Sequence, residues 1–118
     1  MTHKQVEDYI LSFPNTWLDY PFGEGVAVYK VGPKEDGKMF ALMPEGKTPV
    51  SLSLKCDPRL SHLLREKYES VMEGYHLNKK HWNTILLTGQ LSDEDINDLI
   101  RHSYNLVAKT GADTPEID

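Results

Sequence analysis

The sequence predicts an α+β domain, with one antiparallel sheet carrying its helices on one face. Three observations carry this reading. Apolar residues recur at helical spacing near the N-terminus, in the middle and toward the C-terminus. Short β-branched and aromatic runs follow one another across brief turns, which favours antiparallel pairing of successive strands. A chain of 118 residues is large enough for one hydrophobic core but not two.

The first element reads as a helix. Thr2 with Gln5 makes a capping box, Val6, Tyr9, Ile10 and Phe13 form one apolar face, and Pro14-Asn15 stops it. Trp17 to Gly23 is a short aromatic extended segment closed by a turn. Val26 to Val31 is β-branched and reads as a strand, returned by Lys38 to Met43 across a connection, residues 32–37, with strong turn chemistry. Val50, Leu52, Leu54 and Cys56 alternate with Ser51, Ser53 and Lys55, so one phase is buried and the other is wet or functional. Asp57 at N-cap and Pro58 at the first position open a second helix, whose apolar side is Leu60, Leu63, Leu64 and Tyr68. A turn over 74–82 leads into a strand from Asn83 to Thr88, broken by Gly89. Ser92 caps the last helix; Asp93, Glu94 and Asp95 suit its positive end, and Ile96, Leu99, Ile100, Ser103 and Val107 line its inner face. The domain is expected over residues 1–110, with the acidic, proline-containing 111–118 frayed.

Composition excludes several classes. An apolar fraction of 39% and a charged fraction of 26% are ordinary for a globular domain. No apolar run reaches the ~20 residues that span a bilayer. The first residues lack the apolar core of a signal peptide, and the single Cys56 cannot close an internal disulfide. A cytoplasmic location without membrane contact is therefore expected. The net charge of −5 opposes general nucleic-acid binding, but its distribution softens that objection. Residues 82–118 hold two basic residues against seven acids, whereas 21–68 hold eight against six. The middle of the chain is mildly basic, and protonated histidines add to it at acid pH.

One stretch stands out. Residues 74–82 place His76, His81, Asn78, Lys79, Lys80 and Trp82 in one turn, immediately before an apolar strand. A turn needs small polar residues but not this density of cationic and hydrogen-bonding groups, so the stretch reads as a surface that holds something. Trp82 itself is expected to be a buried anchor. Catalysis finds no support: Cys56 lies on the apolar phase of its strand, where a thiol packs as a small hydrophobe, and no nucleophile elbow, phosphate loop or HExxH is present. The histidines lack the spacing and cysteine partners of a short zinc motif. No cofactor is expected. Lys30, Lys38 and Lys55 lie on or beside neighbouring strands, either as solubilising groups or as phosphate contacts.

Taken together, Pro21-Phe22-Gly23, Gly37-Lys38-Met39-Phe40-Ala41-Leu42, Ser53-Leu54-Lys55-Cys56-Asp57-Pro58, the 74–82 block and Ser103-Tyr104 resemble the YjbR/MmcQ family of small bacterial proteins. His-Leu-Asn-Lys-x-His-Trp is the specific part. The resemblance implies a compact α+β domain akin in shape to frataxin-like and secretion-chaperone-like folds, and a DNA-binding label resting on a "double wing" of hairpins and helix. On that reading the chain is a non-enzymatic, monomeric DNA-binding or regulatory module. Lys30, Lys38, Lys55, Lys79 and Lys80 would meet phosphates of duplex DNA, and His76, Asn78 and Asn83 would supply polar contacts. The alternative is a protein-interaction module, chaperone-like, with no nucleic-acid role.

Overall fold

Thr2 accepts from the Gln5 backbone N–H while the Gln5 side chain returns to the Thr2 backbone, so the expected capping box opens α1 (His3–Ile10). Four strands follow: β1 (Thr16–Asp19), β2 (Val26–Val31), β3 (Lys38–Pro44) and β4 (Ser51–Lys55). Then come α2 (Pro58–Lys67), β5 (Val71–Glu73), β6 (Trp82–Leu86) and α3 (Asp93–Thr110). The structure, a computed structural model, describes residues 1–74 and 77–110, with side chains through residue 108. The tail expected over 111–118 lies outside the described residues.

The six strands form one sheet in the order β1-β2-β3-β4-β6-β5, and every neighbouring pair is antiparallel. All three helices lie over one face. Val6 and Ile10 of α1 and Ile96, Ile100 and Val107 of α3 join Tyr29, Ala41, Leu52, Leu54, Ile85 and Val71 in a single core. Ser61 of α2 reaches the same side through a 2.7 Å bond to Asn83. The alternation expected around β4 holds, since Leu52, Leu54 and Cys56 are buried and Val50 packs against the core.

Three details differ from expectation. β5 lies where no strand was read, because three residues are too short to carry a periodic signal. Leu63 is 61% exposed, and α2 instead turns the small Ser61 fully inward. Ser53, on the face away from the helices, is not wet: it is only 4% exposed, and its hydroxyl meets that of Thr84 across the strand pair at 2.8 Å.

A β-bulge interrupts the β2–β3 ladder. Tyr29 opposes Ala41 but Lys30 opposes Met39, leaving Phe40 as the extra residue. Phe40 and Ala41 are both fully buried, and the Phe40 ring meets Tyr104 of α3 edge-on at 5.5 Å. Beyond the bulge Lys38 pairs with the core residue Val31.

At the start of α2, Asp57 accepts from the N–H groups of Arg59 and Leu60, as its N-cap position requires. Its own N–H donates to His102 Nε2 of α3 at 3.1 Å, tying the two helices. Burial pushes the His102 imidazole below its ordinary pKa, with the Asp57 charge opposing. A depressed folded-state pKa means that the native state disfavours the proton. Stability is therefore full above the ordinary histidine range, and declines as pH falls through it toward the depressed value. Urea melts of wild type and His102→Gln at neutral pH and near pH 5 are expected to give a smaller loss in the variant; equal losses would put the acid sensitivity elsewhere.

Candidate nucleic-acid interface at one end of the sheet

The antiparallel register gathers six of the thirteen basic residues, Lys30, Lys34, Lys38, Lys55, Lys79 and Lys80, toward one end of the molecule. The turn between β2 and β3, the end of β4 at Lys55 and the start of β6 at Trp82 all lie there, because β3 begins where β4 ends and Lys55 pairs with Trp82. The β3–β4 turn lies at the opposite end, as do the end of β6 and the acidic first turn of α3, Asp93, Glu94 and Asp95. The separation of charge along the strand direction is partial, since Glu35 and Asp36 lie in the β2–β3 turn and Lys47 in the β3–β4 turn.

The best-formed feature at the basic end was not singled out from sequence. Trp17 of β1 lies beside the β2–β3 hairpin, its indole N–H donating to the Gly32 carbonyl at 2.9 Å. The Lys34 ammonium stands 4.9 Å from its ring centroid and that of Lys30 5.3 Å. Gly37 makes this possible: a Cβ there would come within 2.7 Å of the indole. A broad open cleft of about 560 Å³ adjoins the ring, lined by Asn15, Thr16, Trp17, Gly32, Pro33 and Lys34. The aromatic segment and the lysine-bearing turn were each visible in the sequence. Their meeting depends on the β1–β2 pairing, which only the fold supplies.

The residues expected to contact an anion are placed unequally. Lys30 and Lys55 share the open face of the sheet, since Lys30 pairs with Trp17 and Lys55 alternates with the buried Leu54. Lys30 is held by Asp19 at 2.9 Å, and this bond, helped by the Tyr20 N–H, keeps the Asp19 carboxyl below its ordinary pKa. The bulge turns Lys38 to the helix side of the sheet, where it pairs with the exposed Asp36 at 3.5 Å. Lys79 and Lys80 are exposed in the turn before β6. That turn is shaped by Asn78, whose side chain accepts from the Lys80 N–H, and by Arg65, which donates to the Lys79 carbonyl at 3.1 Å. Asn83 cannot meet a ligand on the surface. It is 2% exposed on the helix side, accepts from Ser61, and lines a cavity of about 10 Å³ with Leu54, Cys56, Leu64 and Leu99. His76 lies outside the described residues.

Trp82 is 6% exposed, as expected of an anchor. Cys56 is buried, and burial foremost pushes its thiol up to about 12. Among the described residues no group of three or more His, Cys, Asp or Glu side chains is placed to hold a metal. Among the described residues, no helix is long and apolar enough to cross a membrane.

Comparison with known proteins places this arrangement. The family model for YjbR matches residues 11–106. The chain belongs to the YjbR family. It is 37% identical over 105 residues to YbdF of Escherichia coli O157:H7, covering 89% of this chain and 83% of that protein. It is 39% identical to YjbR of E. coli K12 over 71 residues, 60% of each chain. Among solved structures, Deinococcus radiodurans DR2400, with the family domain DUF419, superposes with a TM-score of 0.90 at 38% identity, covering 93% of this chain and 80% of that one. A Pseudomonas syringae protein superposes with a TM-score of 0.75 at 30% identity, covering 91% of this chain and 99% of that one. None of these names carries an activity. The family-model match over residues 11–106 spans both the β2–β3 hairpin and the 74–82 turn.

Proposed function

We propose that this YjbR-family chain is a non-enzymatic nucleic-acid-binding module that grips duplex DNA with the basic end of its sheet. The observation that carries the reading is the Trp17 ring flanked by the Lys30 and Lys34 ammonium groups beside an open cleft. Cations fixed at a protruding hairpin suit phosphate oxygens, and a half-buried indole offers a flat surface for a sugar or base. Lys55, Lys79 and Lys80 extend the same end of the sheet, while the acidic start of α3 is kept away from it. With Asp19 and Asp36 already engaging Lys30 and Lys38, the free positive charge is modest, and the expected binding is weak and independent of sequence.

Fluorescence anisotropy of a labelled random duplex, titrated at several salt concentrations near pH 7, tests this. Contacts from Lys34, Lys55, Lys79 and Lys80 would give a slope of log affinity against log salt of about −3 to −4. A Lys34→Glu/Lys79→Glu/Lys80→Glu variant is expected to abolish most of that slope on any sequence while melting like wild type. Absence of binding by the wild type at low salt would end the DNA reading. A second reading, a protein-interaction module, is favoured by a separate feature, the apolar cleft between α2 and α3.

A further inference from the structure

On the helical side, away from the basic end, α2 and α3 leave a groove of about 170 Å³ between Leu64, Tyr68, Leu91 and Leu99, with Asp95 and Asp98 on its rim. The floor is apolar and built into the core, since Leu91 belongs to the core cluster and Leu64, Tyr68 and Leu99 pack against it. The rim is anionic and open to solvent. Asp95 and Asp98 are both exposed, and Asp98 already holds Arg101 at 2.9 Å. The face of Tyr68 accepts a cation, for the Lys67 ammonium stands 5.3 Å from its centroid. One turn away on α2, Leu63 is left 61% exposed.

We propose that this groove docks a basic amphipathic helix of a partner protein. The volume falls below the ~300–1,000 Å³ of sites that enclose a whole small molecule, yet it admits one large aliphatic or aromatic anchor. Apolar residues between two helices form the kind of trough into which a third helix lays its apolar stripe. Charge selects the occupant. Lysines or arginines flanking the anchor would meet Asp95 and Asp98, and an acidic segment would be repelled. That argument also disfavours the chain's own residues 111–118, which carry three acids and no base. The inference rests on the helix layer and is independent of the DNA reading.

The experiment is a ¹⁵N-HSQC titration of the full chain with a synthetic helical peptide of leucines at helical spacing on a lysine background. Two control peptides have alanine for leucine, or glutamate for lysine. Shift changes are expected to centre on Leu64, Tyr68, Leu91 and Leu99 for the leucine–lysine peptide alone. Asp95→Asn/Asp98→Asn is expected to weaken its binding by about ten-fold, leaving the unbound spectrum dispersed and native-like. Equal binding of the alanine control, shifts spread over all acidic surfaces, or no effect of the double variant would overturn the proposal. Groove shifts that appear on raising the protein concentration without peptide would overturn it in favour of a second copy of this chain.

Discussion

Trp82→Ala is expected to lose about 3–5 kcal/mol of unfolding free energy, a drop in Tm of roughly 10–20 °C for a domain of this size. The ring is buried where β6 begins, and much of the 74–82 turn is organised around the backbone that carries it. The Trp82 carbonyl accepts from the Gly74 N–H at 3.0 Å, and its N–H donates to the Asn78 carbonyl at 2.9 Å. Gly74 lies so close that a Cβ there would come within 2.7 Å of the Trp82 Cβ. Removing the indole leaves a void beneath the turn, so the cost includes a cavity as well as lost burial. Differential scanning calorimetry decides it. Near-wild-type melting would mean that the indole serves a ligand rather than the fold.

Ser103→Ala is expected to cost about 2–4 kcal/mol, measured by urea unfolding. The Ser103 hydroxyl is fully buried in α3 and joins two strands: it accepts from the Lys55 N–H at 2.9 Å and donates to the Phe40 carbonyl at 2.6 Å. Both backbone groups lack ladder partners there, because the bulge displaces Phe40 and the β3–β4 pairing ends at Leu54. Without the hydroxyl, two groups lose their partners at once, and each unsatisfied buried group costs about 1–3 kcal/mol. A loss below about 1 kcal/mol would show that solvent replaces the hydroxyl. DNA affinity at neutral pH is expected to be unchanged in the folded variant.

Ser103 also marks where sequence reading stops. Its helical phase placed it on the inner face of the last helix, and that was correct. Its role as a bridge between β3 and β4 depends on a bulge that no local pattern announces. Elements with their own punctuation were legible: the Thr2–Gln5 box, the Asp57-Pro58 start, the alternation through β4 and the Ser92 cap all stand where local chemistry puts them. β5 was not legible, since three residues of edge strand gain their identity only from pairing with β6. For the site, Asn83 could have been read correctly. It shares its phase with Ile85, so period-two alternation alone turns it toward the helices. Trp17 and Lys34 could not, because they meet across a strand pairing that lies beyond any window of sequence.

The extra residue at Phe40 has a consequence for how such chains can diverge. Beyond it, Met39 and Lys38 share the faces of their partners Lys30 and Val31, although one extra residue separates them from Ala41. Deleting Phe40 would give β3 an unbroken alternation while leaving Met39 opposite Lys30 and Lys38 opposite Val31, each on the face it already has. The bulge is thus a slot where one residue can be gained or lost without re-aiming the charged hairpin tip. Relatives whose β3 is one residue shorter at this point would still present their hairpin charge in the same direction.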